Sequence, residues 1–323
     1  MHAHILGTGA IGCHIGSALR AHRHKVTLLL RSQEHLSDFR KRENTISYRR
    51  NGDVLPITGF DATTIDTLNE PIEALIVSTK AHYTASALAP IASRLTPDST
   101  ILLLQNGMGI SEELVNQFWP RHSPRILVGV NKHAIERIAP YDVVHHYGYE
   151  HKESLMLGEY PINNGSSNEQ SKLVDSLTRI PDMHAVLLPW PEMKVRMLRK
   201  LIINGSINAI ASLLNLQNKG FAQEKNPAIY SIMKSVCEEI HQVFNKDLPG
   251  ESVDSFMESV MHIVDVAAET ACSTVQDIRA QRLTEIDYIN GYVCKRGKEL
   301  GIPTPINQTL VNLVHAKEFT FPP

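Results

Sequence analysis

The stretch ILGTGAIGCHIG, Ile5 to Gly16, is the most telling in the chain. Gly7, Gly9 and Gly12 stand in the spacing G-x-G-x-x-G. The apolar residues AHIL precede them, and AIGCHIGSALRAH reads as a helix after them. In that setting each glycine has its own duty. One makes the tight turn from strand to helix, one lets backbone approach a pyrophosphate, and one lets the helix pack on the strand. A helix that opens there turns unpaired N–H groups towards the phosphates. Gly7, Thr8, Gly9, Ala10, Ile11 and Gly12 are therefore expected to bind a dinucleotide, the alternative being a tight glycine turn with no ligand.

Further along, the strand KVTLLLR ends in Arg31. NAD enzymes usually carry an acid about 20 residues beyond the glycines to hold the ribose hydroxyls. A guanidinium suits a 2′-phosphate instead, which favours NADP(H); a solvated charge at a strand end is the plain alternative. The chain then reads as polar and irregular to about Asp66. IEALIVST and STILLLQ are two more apolar strands with the helix HYTASALAPIASRL between them. Apolar strands joined by helical crossovers predict a parallel sheet covered on both faces. Lys80 and Asn106 follow two of these strands, on the edge where open α/β sheets bind ligands. Gly107 and Gly109 allow sharp turns there and close approach of a cofactor. PRILVGV adds a strand, YDVVHHYG and ESLMLGEY predict an antiparallel pair, and SNEQSKLVDSLT a helix.

After PWPE, Pro189 to Glu192, long helical patterns dominate. The expected division is residues 1–188 as a Rossmann-type dinucleotide-binding domain and 189–323 as an all-helical domain. A net charge of −2 argues against a nucleic-acid or anionic-membrane partner, since both need a basic face. The longest apolar runs are too short to span a bilayer, and the N-terminus runs at once into a strand, with no signal peptide. Four cysteines without C-x-x-C spacing fit reduced thiols and a cytoplasmic location. Sixteen histidines prompt a search for metal spacing. Cys237 with His241, and His145, His146 and His151, make no closed ligand set, so no metal is expected.

The segment RKLIINGSINAIASLL, Arg199 to Leu214, predicts a buried helix on which Lys200, Asn204 and Asn208 form one polar stripe. Buried amides and ammonium groups need partners. Either a polar seam between helices supplies them, or the stripe faces a cofactor across a cleft. Gly205, between the two asparagines, either clears room for a ligand or permits a close helix contact. NKGF, Asn218 to Phe221, makes a turn. Thr284 with Asp287 fits a capping box, which starts a helix at Glu285. Arg279 and Arg282 bind acid groups or pair with Asp277. Gly301 caps the end of that helix, with Pro303 beyond.

With GTGAIG, STKAHY, QNGMG, RKLIINGSINAI and QDIRAQRLTEIDYING in order, the chain resembles the ketopantoate reductase family over nearly its whole length. The glycine motif is shared by many dehydrogenases; the two longest segments are the specific ones. The resemblance implies reduction of 2-dehydropantoate to (R)-pantoate with NADPH, on the route to pantothenate and coenzyme A. It implies an active site between a Rossmann-type domain and a helical one, in a monomer or homodimer. It makes Lys200 the proton donor and matches Asn204, Asn208, Asn218 and Ser273 to substrate-binding positions. Lys80 and Asn106 match the nicotinamide end of the cofactor, with Asn106 also reaching substrate. Glu285 matches a residue touching both, Arg31 one on the 2′-phosphate, and Ile135 a backbone contact to cofactor. The chemistry agrees: hydride transfer to a 2-keto acid leaves charge on the carbonyl oxygen, which an ammonium stabilises and protonates.

Overall fold

The protein is described by a computed structural model covering residues 1–162, 171–222 and 226–322. It divides into two compact units, Met1–Gln105 with Ile110–Met193, and Asn106–Gly109 with Lys194–Pro323.

The first unit opens with β1 (His2–Leu6), α1 (Ala10–Ala21), β2 (Lys25–Leu30), α2 (Gln33–Lys41), β3 (Ile46–Arg50), β4 (Asp53–Ile57) and β5 (Asp61–Thr64). It continues with β6 (Ala74–Val77), α3 (Ala81–Leu88), β7 (Thr100–Leu103), α4 (Ile110–Phe118), β8 (Arg125–Asn131), β9 (Ala134–Ala139) and β10 (Asp142–Tyr147). β11 (Leu155–Glu159), α5 (Lys172–Thr178) and β12 (Ala185–Leu188) follow, and α6 (Trp190–Leu214) leads on into the second unit.

The main sheet has the order β12-β11-β8-β7-β6-β1-β2-β5. From β8 to β5 every pairing is parallel, and β11 joins β8 antiparallel. Ile5, Leu28, Ile76 and Leu102 are fully buried, as apolar strands covered on both faces should be. Register fixes the functional edge: Leu6 lies opposite Leu29 and Val77, and Val77 opposite Leu103. The residues just beyond these strands, Gly7, Arg31, Lys80 and Gln105, therefore emerge along one border of the sheet. The strand order reverses at β1 and β6, the place where doubly wound sheets bind ligands.

A second sheet, β4-β3-β10-β9, corrects the expectation of an irregular stretch to Asp66. That stretch holds α2, the β3–β4 hairpin and β5. The hairpin turns at Asn51 and Gly52, with φ of 53° and 87°. Positive φ at both central residues matches the twist of the flanking strands, and Asn-Gly is its strongest sequence signal. The charged residues of β3 and Pro56 in β4 hid the alternation. A second correction concerns YDVVHHYG and ESLMLGEY, which do not pair: β10 joins β9 and β3, while β11 joins β8 and β12. Both are alternating strands, and alternation says nothing about partner. The helix after Lys80 ends at Leu88 and continues as a 3-10 stretch to Arg94, with Pro90 at its start. Of SNEQSKLVDSLT, α5 covers Lys172–Thr178, and Ser167 to Gln170 lie outside the described residues.

The second unit contains α6, α7 (Pro227–Phe244), α8 (Val253–Val266), α9 (Ser273–Arg279), α10 (Asn290–Leu300) and α11 (Pro305–Glu318). Leu201, Ile202, Met233, Val236, Ile240, Phe256 and Val314 fill its core. A buried polar network fixes α6 among its neighbours. Asn290 Nδ2 donates to the Gly205 carbonyl (3.0 Å) and to Asn307 Oδ1 (2.9 Å). Glu239 accepts from the backbone N–H of Ile306 (2.7 Å) and Asn307 (2.9 Å), and from Asn307 Nδ2 (2.7 Å). Its carboxylate thus caps the start of α11, where first-turn N–H groups have no helical acceptor. Gly205 serves close helix contact: a Cβ there would meet Ile240 at 3.4 Å and Asn290 at 3.6 Å.

Candidate active site

The glycine loop is built from three different constraints. Gly7 has φ +102°, and a Cβ on it would lie 2.7 Å from the Thr79 nitrogen. At Gly12 a Cβ would fall 1.9 Å from the Gly7 carbonyl oxygen, so α1 packs directly on the turn. Ser78 Oγ donates to that same carbonyl at 2.7 Å. Gly9 differs from both: none of the described residues lies within 4 Å of its Cβ position. Gly9 is also the N-cap of α1, and no side chain among the described residues caps that helix. An open face at the middle glycine, beside an uncapped helix start, is the cradle a pyrophosphate needs. The first unit therefore fits a dinucleotide.

Of the other expected cofactor residues of this unit, Arg31 and Lys80 lie on the edge set by the register, and Ile135 in the second sheet. Arg31 is exposed immediately after β2, and its Nε donates to His35 Nε2 at 2.9 Å. Ser32 caps α2 by accepting from the His35 N–H, which holds the residue after Arg31 in a fixed turn. Lys80 is the N-cap of α3, partly buried, just beyond β6. Ile135 lies in β9 of the second sheet, opposite His145.

Asn106 belongs with the helical unit. Asn106 Nδ2 donates to Glu285 Oε2 at 3.2 Å, and the Met108 N–H to the Tyr288 carbonyl at 2.8 Å. Gly107 has φ +86°, and a Cβ there would fall 2.1 Å from that carbonyl. The glycine does permit a sharp turn, but what approaches it closely is the chain's own backbone at Tyr288. Sequence reading missed this role of Tyr288, because a carbonyl partner leaves no residue-type signal.

Glu285 precedes a short 3-10 turn, Ile286–Tyr288, and the α-helix begins only at Asn290. This corrects the expected helix start at Glu285. Thr284 Oγ1 accepts from the Ile286 N–H, while Asp287 Oδ1 pairs with His315 instead of closing a capping box. The Thr284 N–H donates to Glu318 Oε1 at 2.7 Å. α11 therefore pins the turn that presents Glu285. Gly301, with φ 69°, ends α10 as the sequence indicated.

Lys200, Asn204 and Asn208 all lie on α6, with Asn208 buried and the other two partly so. Burial pushes the Lys200 ammonium below its ordinary pKa, and the nearby Glu285 carboxylate opposes that. The stripe expected from the sequence thus has a chemical neighbour within its own unit. An ammonium lowered in this way is a stronger acid. The Glu285 carboxylate near it accepts from Asn106 Nδ2.

Asn218 starts a 3-10 turn, Asn218–Phe221. Its N–H donates to the Thr270 carbonyl and its Nδ2 to the Ala267 carbonyl, both at 3.0 Å. Its buried Oδ1 has no partner among the described residues. Ser273, exposed at the start of α9, lies three residues beyond Thr270. One junction therefore carries both expected substrate residues. Arg282 pairs with Asp277, and Arg279 donates to Asn215 Oδ1 at 2.8 Å, so both have structural duties.

Comparison with known proteins shows the family of the chain. Residues 3–161 match the model of the family "Ketopantoate reductase PanE/ApbA", and residues 192–318 that of its C-terminal domain. The 2-dehydropantoate 2-reductase of Salmonella typhimurium is 31% identical, over 97% of this chain and 94% of its own. A probable 2-dehydropantoate 2-reductase of Schizosaccharomyces pombe is 26% identical over 97% and 95%. Among solved structures, D-mandelate dehydrogenase with NADH and anilino(oxo)acetate superposes with a TM-score of 0.82 at 23% identity, covering 99% of both chains. The PanE/ApbA family ketopantoate reductase of Ralstonia eutropha gives 0.80 at 23%, with the same coverage. These likenesses show a shared fold. With both halves matched in order, the chain belongs to the ketopantoate reductase family of oxidoreductases.

Proposed function

We propose that this chain reduces 2-dehydropantoate to (R)-pantoate with NADPH. The observation that carries the reading is the grouping of Lys200, Glu285 and Asn106 within one unit. When bound, the reduced nicotinamide supplies a hydride to the keto carbon. Lys200 then stabilises the developing oxyanion and donates the proton that completes the alcohol. Glu285 accepts a hydrogen bond from a substrate hydroxyl and offsets the burial that lowers the Lys200 pKa. Asn204, Asn208, Asn218 and Ser273 bind the rest of the substrate through uncharged groups, and Asn106 orients Glu285 and reaches substrate. Gly7 to Gly12 hold the pyrophosphate, with Lys80 and the Ile135 backbone as further cofactor contacts. Arg31 takes the 2′-phosphate and sets the preference for NADPH. A monomer and a homodimer both satisfy this reading, since every named residue comes from one chain.

The test is NADPH oxidation by purified protein with 2-dehydropantoate, aliphatic 2-keto acids and an aryl 2-keto acid, repeated with NADH. The highest kcat/KM is expected for 2-dehydropantoate with NADPH. A clear preference for the aryl substrate or for NADH overturns the assignment.

A further inference from the structure

Three histidines far apart in sequence meet inside the first unit. His14 lies on α1, His133 just after β8 and His145 on β10, all buried. One ligand nitrogen from each lies within 4.8 Å of the others. The rings lie at steep angles to one another, with centroids 4.7 Å from His14 to His133, 4.7 Å from His14 to His145, and 5.0 Å from His133 to His145.

The hydrogen bonds assign every proton. His133 Nε2 faces the Met183 carbonyl at 3.1 Å, which only accepts, so it carries a hydrogen. In a neutral ring His133 Nδ1 is then a lone pair. It accepts from His145 Nε2 at 3.1 Å, which also faces the Tyr147 carbonyl at 3.0 Å. His145 Nδ1 must accept, and the Tyr48 hydroxyl donates to it at 2.7 Å. The Tyr48 oxygen in turn accepts from His14 Nδ1 at 2.7 Å. The chain of assignments ends on His14 Nε2, a lone pair buried without a partner among the described residues. Burial keeps all three rings neutral: His14 is held well below the usual imidazole range, His145 is lowered to about 4, and His133 is also lowered.

An orphaned buried acceptor is costly and needs a reason. We propose that His14, His133 and His145 form a site for one divalent ion of the Zn2+ class. Two ligands are already in the required tautomer. His14 presents Nε2 while its Nδ1–H is held by Tyr48, and His133 presents Nδ1 while its Nε2–H is held by the Met183 carbonyl. A metal-bound histidine usually has such a partner for its second nitrogen. For His145 the proton moves from Nε2 to Nδ1, where it donates to the Tyr48 oxygen. Tyr48 turns its own hydrogen aside, and no proton is gained or lost overall. Gly148 lets His133 lie against the backbone: with φ +114°, a Cβ on it would fall 2.6 Å from His133 Nδ1. Imidazole nitrogen is a preferred donor for Zn2+, Co2+, Ni2+ and Cu2+. Sequence spacing does not show this site, because its residues come from α1, the β8–β9 connection and β10.

The experiment uses tag-free full-length protein stripped with a chelator. Zn2+ or Co2+ is added, and bound metal is measured by elemental analysis after desalting, with the Co2+ ligand-field spectrum as a second readout. One metal per chain is expected. His133→Gln and His145→Gln should abolish it, while the exposed His146→Gln and His151→Gln should leave it unchanged. Tyr48→Phe removes no ligand, only the hydrogen bonds to the outer nitrogens of His14 and His145, and should raise Kd about 10–100-fold. If a histidine variant does not fold, Tyr48→Phe and the imidazole 15N shifts of the wild type with Zn2+ decide the matter. No stoichiometric metal, unshifted histidine nitrogens, or a Kd unmoved by Tyr48→Phe overturns the proposal.

Discussion

Glu239 is the residue on which the order of the helical unit is expected to depend most. Its carboxylate takes three N–H groups: Ile306 on one oxygen, and the Asn307 backbone and side chain on the other. Glu239→Gln keeps the volume and admits no extra water. In its best orientation the new amide turns its oxygen to Asn307 and its NH2 to the Ile306 N–H. The new NH2 then faces the Ile306 N–H with no acceptor between them, which orphans at least one donor at about 1–3 kcal/mol, and two charge-assisted bonds become neutral, at about 1 kcal/mol each. The expected loss is about 3–5 kcal/mol. Urea unfolding followed by circular dichroism measures it, and with a slope of about 1–3 kcal/mol/M the midpoint should fall by about 1 M or more. The coupling to Asn307→Ala should exceed about 0.5 kcal/mol in a double-mutant cycle, as for groups in one network. A loss below about 1 kcal/mol would falsify the view that this carboxylate holds α11.

Four further outcomes are expected. Lys200→Ala should lower kcat by about 10²–10⁴-fold while NADPH affinity by fluorescence titration stays near wild type; near-normal turnover removes Lys200 from the chemistry. Because the protonated ammonium is the active form and burial lowers its pKa, kcat/KM should fall on the alkaline side, beginning below the ordinary lysine value of about 10.4; a flat profile up to that value contradicts the role. Arg31→Asp should erase or reverse the NADPH-over-NADH preference in kcat/KM, and an unchanged ratio would mean that Arg31 is only a solvated charge. Burial lowers the His315 pKa, but Asp287 and Glu318 raise it more and leave it above the ordinary value. Its contribution to stability is therefore full below about pH 6.5 and is lost as pH rises through the raised value. The stability difference between wild type and His315→Gln should shrink as pH rises; a difference that grows reverses the sign argument.

The glycine loop, the parallel strands, the NADP(H) expectation and the α6 stripe were legible in the order of residues alone. Each is local: Gly7, Gly9 and Gly12 follow one strand, and Lys200, Asn204 and Asn208 share one helix by periodicity alone. The β3–β4 hairpin was also written locally, in Asn51-Gly52, yet its charged strands masked it. The rest emerges on folding. It placed Asn106 against Glu285, 179 positions away, and set Gly107 under the Tyr288 carbonyl. It gathered Glu239, Asn290 and Asn307 into one network, and His14, Tyr48, His133 and His145 into another. The reason is physical. Periodicity and turn chemistry act over a few residues, whereas a buried polar group selects its partner by proximity in the packed core. No spacing along the chain encodes that proximity.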